Sequence, residues 1–292
     1  MGLVAFLTWG LVPLYWKLIA YVASDRIVCH RAIWCLAFLA LVVAVSTRRR
    51  AALRDAMQQP KSLAYSALAG WLIGINWFIY IWSVINGHVI EASLGYFLSP
   101  LVTVAHGAFV LGERLPALRW VAVLLAAAGV LLKVVLHGTV PWIALSLCST
   151  WGCYALVKRL AGLDSMTGLC IESASILPPA LIYLLLFVGP DSGPGFAEGW
   201  PRVPILLMGG GVITAVPLIC YAYATRRLTL ATLGLMQYLT PTMTFLLGVF
   251  LYREPFARVD LVTFACIWAG LVLYSASSNE SRQSEGQDFG SR

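Results

Sequence analysis

Five ionisable side chains stand inside otherwise apolar stretches of the sequence. They are Lys17, His30, Arg31, Glu91 and Glu172. A charged side chain at the centre of a membrane-spanning helix costs roughly 2.5–3.5 kcal/mol on insertion scales, and such residues often mark substrate or ion pathways. The first four can form one polar cluster that binds a polar or anionic solute. Glu172, nearer the other membrane face, can exchange a proton with the cytoplasm.

Each of these residues also has a structural alternative. Lys17 and Arg31 can extend their charged ends to lipid headgroups. Glu91 can stabilise the start of a helix through the helix dipole. Glu172 can form a fixed ion pair with Lys158 or Arg159.

A second set of candidates consists of aromatic and amide side chains near the middle of apolar stretches. This set is Trp9, Asn76, Tyr80, Tyr96, Tyr221 and Gln237. Aromatic surface with a few polar groups suits an amphipathic organic solute better than a bare ion. The alternative is that the amides form hydrogen bonds between helices, which is common in membrane bundles.

Three prolines, Pro100, Pro217 and Pro241, fall inside the same apolar stretches. Each removes a backbone hydrogen bond and frees a carbonyl, which is tolerated where helices pack closely or line a cavity. These positions are therefore predicted helix breaks or hinges.

The sequence lacks the motifs of common enzymes, because it contains no HExxH, no GxSxG and no P-loop. The four histidines have no metal-ligand spacing, and the seven cysteines form no CxxC and are typical of small buried hydrophobes. We therefore predict no catalytic residue, no metal and no cofactor. ATP-driven transport by this chain alone is excluded.

The composition indicates that lipid is the solvent of the protein. Of the 292 residues 60% are hydrophobic and only 11% are charged, whereas a soluble domain carries about 25% charged residues. The net charge of +7 does not predict nucleic-acid binding, because the basic residues lie between apolar stretches. Ten apolar segments have the length of a membrane-spanning helix, roughly 20 residues: 3–21, 27–46, 62–85, 89–111, 118–136, 139–158, 166–188, 203–225, 229–251 and 258–276.

The second half of the sequence repeats the first. Residues of the same type recur 141 positions later, in the pairs Pro100 and Pro241, Gly107 and Gly248, Phe109 and Phe250, Glu113 and Glu254, and Gly129 and Gly270. Five segments per half is an odd number, so the second copy must cross the membrane in the opposite direction. We therefore predict an inverted repeat, 1–137 and 138–276, followed by a disordered polar tail, 277–292. This is the architecture of alternating-access transporters.

The distribution of basic residues predicts the orientation. With the N-terminus inside, thirteen Lys and Arg residues lie in cytoplasmic segments and five lie in external ones. The excess favours an orientation with both termini in the cytoplasm. We expect the protein in the plasma membrane.

Taken together, several motifs resemble those of the drug/metabolite transporter superfamily with paired EamA-type domains, and within it the RarD-type permeases. They are Trp9-Gly10-Leu11-Val12-Pro13-Leu14-Tyr15-Trp16-Lys17, His30-Arg31, Asn76-Trp77, Glu91-Ala92-Ser93-Leu94-Gly95-Tyr96-Phe97, Gly112-Glu113-Arg114 and Gln237-Tyr238. The resemblance implies a bacterial inner-membrane permease. It also implies a central cavity between the halves, lined mainly by the first, third, fourth, sixth, eighth and ninth spans.

We therefore expect an all-α, ten-helix integral membrane protein that moves small organic solutes by alternating access. Proton coupling through Glu172 and a homodimer are further hypotheses, the latter because Gly70 and Gly74 form a GxxxG sequence. Two rival functions stay open. One is a membrane enzyme acting on a lipid-linked substrate, with Glu172 and Lys158 as its candidate pair, and the other is a non-transporting partner or sensor subunit.

Overall fold

The computed structural model describes residues 1–112, 117–188, 202–224 and 236–290, and within these ranges the chain forms helices and no strand. The predicted motif residues Glu113 and Arg114 lie outside the described residues. The helices are α1 Gly2–Leu18, α2 Ser24–Ala44, α3 Thr47–Met57, α4 Pro60–Ile85, α5 Val89–Leu111, α6 Ala117–His137, α7 Trp142–Ala161, α8 Ser165–Leu186, α9 Arg202–Ala224, α10 Leu239–Leu246 and α11 Arg258–Gly290. A π-helical turn, Leu247–Leu251, continues α10.

Seven of the described helices are long and apolar enough to cross a membrane, namely α2, α4, α5, α6, α8, α9 and the first part of α11. The apolar helix α1 and the continuous segment Leu239–Leu251 are shorter. Large apolar side chains also remain exposed along these helices, among them Leu124 and Leu185, at 64% and 78%. Such a surface needs lipid, because soluble proteins do not expose apolar patches of this extent.

Two segments differ from the prediction. The basic stretch after α2, predicted as a plain connection, folds into the helix α3, and Pro60 then occupies the first turn of α4, where proline is tolerated. The last helix continues to Gly290, although residues 277–292 were predicted to be disordered. Its apolar part ends at Ser275. The extension contains Glu, Gln and Arg, which are good helix formers and can prolong a helix that is already nucleated.

Two carboxylates satisfy backbone amides at helix starts. Both oxygens of Glu254 accept hydrogen bonds at 2.8 Å from the amides of Val89 and Ile90, the first residues of α5. Glu91 accepts one at 3.0 Å from the amide of Ile143 in the first turn of α7. Since the first amides of a helix have no partner within it, these contacts join α5 to the segment after α10, and α7 to α5.

The helices α6 and α11 run antiparallel in close contact. Lys133, near the end of α6, forms an ion pair of 2.8 Å with Asp260, near the start of α11. At the other end the Arg119 guanidinium stacks on the Tyr274 ring at 5.6 Å. Between them, a Cβ at Gly129 would meet the backbone oxygen of Thr263 at 3.2 Å. The absence of a side chain at this glycine therefore allows the two backbones to approach.

The helices α2 and α8 also run antiparallel. Asp25, at the start of α2, accepts a hydrogen bond from the Tyr183 hydroxyl near the end of α8. Further along, Cys35 of α2 lies beside Ser173 in the first half of α8. Both helices contribute to one buried apolar core, which also includes residues of α1, α4, α7 and α9. A second core joins α5, α6 and α11.

Candidate functional site

Asn76 joins three helices. Its side-chain amide nitrogen on α4 donates to the Leu147 carbonyl at 3.0 Å and to the Thr150 hydroxyl at 2.9 Å, both on α7. Its amide oxygen accepts a hydrogen bond of 3.1 Å from the Tyr96 hydroxyl on α5. Asn76 is fully buried, so these bonds replace the hydration that the amide loses. The residue is thus a polar junction in an apolar environment.

A row of aromatic rings leads away from this junction. Tyr80 packs edge-on against Tyr96 with ring centroids 5.4 Å apart, and Tyr96 packs against Trp151 at 6.1 Å. Trp151 in turn contacts Tyr154 at 5.6 Å. The row connects α4, α5 and α7, and its rings present both apolar faces and hydroxyl groups.

At the end of this row lies Glu172, whose side chain is 1% exposed. It forms an ion pair of 2.6 Å with Lys158 and accepts a hydrogen bond of 3.0 Å from the Tyr154 hydroxyl. Lys158 also donates to Tyr154 at 2.8 Å. The carboxylate thus has the partner that its position in the sequence predicted. Tyr154, as a second ligand of the carboxylate, was not predicted.

The other predicted residues form a separate cluster. Trp9 on α1 contacts Tyr221 on α9 with centroids 6.0 Å apart, and Phe6 packs edge-on against both rings. Gln237, just before α10, is partly buried. Trp9 in Thr8-Trp9-Gly10 corresponds to Trp151 in Thr150-Trp151-Gly152, and Tyr221 lies 141 positions after Tyr80. The two aromatic clusters are therefore related by the sequence repeat.

Arg31 lies between two tryptophan rings. Its guanidinium carbon is 4.1 Å from the ring centroid of Trp77 on α4 and 5.4 Å from that of Trp16 on α1. Its Nε atom donates to the Thr214 hydroxyl on α9 at 2.8 Å. The side chain is buried, so Arg31 does not reach the headgroups as the structural alternative supposed. The sequence did not predict the tryptophan pair, although both residues stand in the motifs quoted above.

The sequence predicts one polar cluster of Lys17, His30, Arg31 and Glu91. Lys17 donates to the Ile85 carbonyl at 3.3 Å and lies over the Tyr252 ring at 5.2 Å. His30 is partly buried beside Arg31 on α2. Glu91 is engaged with the start of α7. Lys17 and Glu91 thus contact different groups.

The predicted prolines lie inside helices, Pro100 in α5, Pro217 in α9 and Pro241 near the start of α10. The central site itself is closely packed. One groove of about 490 Å³ is lined by the turn between α1 and α2 and by the end of α4, including Asp25 and Asn86. Another, of about 480 Å³, is apolar and lies along α10 and the π-turn. Neither is lined by Asn76 or Tyr96.

The sequence matches known proteins over nearly its whole length. A model of the EamA-like transporter family matches residues 1–135 and again residues 139–276. Protein RarD of Escherichia coli is 39% identical over 274 residues, which cover 94% of this chain and 92% of that protein. The uncharacterized transporter YojE of Bacillus subtilis is 41% identical over 278 residues, with the same coverage of 94% and 92%.

A more distant relative is the chloramphenicol-sensitive protein RarD of Pseudomonas aeruginosa, 33% identical over 94% of this chain and 91% of that protein. A solved crystal structure of a protein with 20% identity covers 96% of both chains with a TM-score of 0.60. That likeness concerns the fold alone. The two family matches and the relatives agree with the apolar helices, and the chain is a multi-pass inner-membrane protein. It belongs to the EamA-like transporter family and, within the drug/metabolite transporter superfamily, to the RarD type.

Proposed function

We propose that this protein carries small organic solutes across the inner membrane by alternating access of two inverted units, residues 1–137 and 138–276. Each unit contributes five membrane-spanning helices, and both termini lie in the cytoplasm. Alternating access then consists of rocking one unit against the other around a site near the middle of the membrane.

The observation that carries this proposal is that close helix contacts occur twice. A Cβ at Gly70 of α4 would collide with Ser175 of α8, and a Cβ at Gly211 of α9 would collide with Trp34 of α2. Gly211 lies 141 positions after Gly70, and Ser175 lies 141 positions after Trp34. The two contacts therefore exchange under the shift that relates the halves of the sequence. Contacts repeated in this way are expected of two units related by a pseudo-twofold axis.

The contacts between α6 and α11 support the inverted sense of the repeat. A Cβ at Gly129 would approach Thr263, and a Cβ at Gly270 would approach Ala122, at 2.8 Å from its backbone oxygen. The two contacts again exchange under the shift of 141 positions. Since these equivalent helices run antiparallel, the axis that relates them is perpendicular to their length, as in an inverted repeat.

Within this arrangement we assign solute contact to Trp9, Asn76, Tyr80 and Tyr96 in the first unit and to Tyr221 and Gln237 in the second. Asn76 and Tyr96 connect helices of both units, since α4 and α5 belong to the first and α7 to the second. Rocking of the units would break the bonds from Asn76 to Leu147 and Thr150, and the freed amide could then bind a polar group of the solute.

Proton coupling through Glu172 is a separate part of the proposal. Its partners Lys158 and Tyr154 can hold the carboxylate charged in one state and release it in another. If the pair stays closed throughout the cycle, Glu172 is a structural residue and transport is uncoupled.

The test is solute flux in proteoliposomes that contain the purified protein, screened over amino acids and amphiphilic drugs with and without a pH gradient. We expect Asn76→Ala to abolish flux. Asn86→Ala is the matched control, because this asparagine on the end of the same helix bonds only to its own helix, to the Trp82 carbonyl at 2.8 Å. Glu172→Gln should remove the effect of the pH gradient if the residue couples protons.

The outcomes separate the hypotheses. Flux that ignores the gradient but requires Asn76 identifies a facilitator. Flux that survives Asn76→Ala contradicts the assignment of the site. Absence of flux for every solute, with a folded protein, favours the partner-subunit alternative over transport.

A further inference from the structure

Arg31 is a buried cation without a counter-charge among the described residues. Arg31 is only 7% exposed. The ion pairs of the buried region, Lys158 with Glu172 and Lys133 with Asp260, do not include it. A buried charge is costly unless it is paired and hydrogen-bonded. The two tryptophan rings offset part of this cost through cation–π contacts, but they supply no negative charge.

The guanidinium also retains unused hydrogen-bonding capacity. Its Nε atom bonds to Thr214, whereas its buried Nη1 atom has no hydrogen-bond partner in the part of the chain that the structure describes. A guanidinium has five N–H donors in a planar fork that matches the two oxygens of a carboxylate. The arrangement therefore leaves a directed donor in an apolar environment.

The groups around Arg31 show where this donor lies. Tyr80 and Tyr96, two of the proposed solute contacts, are close enough to interact electrostatically with the guanidinium. Tyr252 interacts with Tyr80 in the same way, and its buried hydroxyl also lacks a hydrogen-bond partner among the described residues. The same is true of the indole nitrogen of Trp16, whose ring stacks on Arg31. Unsatisfied polar atoms are rare in packed proteins, and three of those in this structure belong to Arg31, Trp16 and Tyr252.

We propose that Arg31 binds the carboxylate of an amphipathic organic anion, whose apolar part lies against Trp16, Trp77 and the tyrosine rings. The inference rests on the proposed function, because it names the substrate class of the same site. A monoanion balances the single guanidinium charge. A phosphate dianion would bring a second negative charge, and Lys17, the cation that lies over the Tyr252 ring, is already engaged with Ile85 and Tyr252.

The experiment measures binding rather than transport. Purified protein in detergent is titrated with benzoate, indole-3-acetate and phenylpyruvate, and in parallel with the corresponding neutral amides and with phenyl phosphate. We expect at least one carboxylate to bind and its amide to bind far more weakly. Arg31→Gln should weaken carboxylate binding by about 30-fold or more, because it removes one partner of a buried charged hydrogen bond.

Arg26→Gln is the matched control. Arg26 lies on the same helix and is 6% exposed, so the two substitutions remove an equally buried guanidinium. Carboxylate affinity should be unchanged in Arg26→Gln. Arg31→Lys, which keeps the charge but loses the fork, should give an intermediate affinity.

The proposal is overturned if no carboxylate of the panel binds the wild type, if amides bind as tightly as acids, if phenyl phosphate binds best, or if Arg31→Gln retains the affinity. These results are distinct from failure of the transport function. Carboxylate binding that depends on Arg31 without any flux would refute transport alone. Flux of a neutral solute that survives Arg31→Gln would refute the anion site alone.

Discussion

Substitution of Lys158 by methionine tests how much the ion pair between Lys158 on α7 and Glu172 on α8 stabilises the protein. Methionine fills a similar volume but removes the ammonium group. The Glu172 carboxylate, 1% exposed, then keeps only the Tyr154 hydroxyl as a partner. The uncompensated charge must be carried by the folded protein or neutralised by a proton.

The expected destabilisation follows from this geometry. Removing one partner of a buried ion pair costs about 3–5 kcal/mol. The lower end applies here, because Lys158 itself keeps 26% exposure. At about 2 °C per kcal/mol for a chain of this size, the unfolding midpoint should fall by about 6 °C. Glu172→Gln should cost about 1 kcal/mol, less than half of this loss, since Lys158, which is 26% exposed, can turn towards solvent or headgroups.

The assay is thermal unfolding of the detergent-solubilised protein, followed with a thiol-reactive fluorophore. Cys35, Cys148 and Cys170 are buried and free, so their labelling reports loss of the helical core. The double variant Lys158→Met/Glu172→Gln should recover most of the lost stability, because it leaves no unpaired charge. The coupling between the two sites is read from the double-mutant cycle.

Lys17→Met is the control, since Lys17, like Lys158, stands in the last turn of its helix, here α1. Lys17 has a carbonyl and an aromatic ring as neighbours. Its removal should shift the midpoint by less than about 2 °C, within the range of ordinary partly exposed substitutions. Equal losses in both lysine variants, or additive effects in the double variant, would refute the reasoning.

Three further predictions concern packing and charge, each measured by the same unfolding assay. Gly70→Ala and Gly211→Ala should each cost about 1–3 kcal/mol, because the new Cβ collides with the backbone of a neighbouring helix; Gly74→Ala, which meets only the flexible end of Ile176 at 3.2 Å, is the control and should cost less. Glu254→Ala should cost about 1–2 kcal/mol through loss of both hydrogen bonds to the start of α5, and a neutral result would contradict its role as a cap. Arg31→Met should raise the midpoint of the ligand-free protein, because it replaces an unpaired buried charge by an apolar side chain; a lower midpoint would mean that Arg31 has a structural role.

The sequence allowed the helical membrane class to be predicted because composition alone determines it. It reduced the partners of Glu172 to Lys158 and Arg159, the basic residues at the end of the preceding segment, and the structure shows the ion pair with Lys158. The packing of Arg31 between Trp16 and Trp77 could not be predicted. It depends on how three helices meet, and the sequence constrains only the face on which each residue lies. For the same reason the sequence could not specify the individual contacts of Lys17 and Glu91.

Local propensity explains the remaining differences. The short helix α3 lies in a basic stretch that has no apolar periodicity, so only its Ala, Arg and Leu content favours a helix. The two caps by Glu91 and Glu254 join segments that are distant in the sequence. No local pattern identifies the helix start that a given carboxylate will reach.

The two ends of the contact between α6 and α11 occupy equivalent positions in the repeat but differ in chemistry. One end of the α6–α11 pair holds the ion pair of Lys133 with Asp260, whereas its equivalent holds the stacking of Arg119 on Tyr274. If the halves were identical, exchanging their conformations would convert the outward-open state into an inward-open state of equal free energy. Under the alternating access proposed above, a resting preference for one membrane face would come from the positions at which the halves differ. Interchanging the residues of these two ends would shift that preference without touching the solute site.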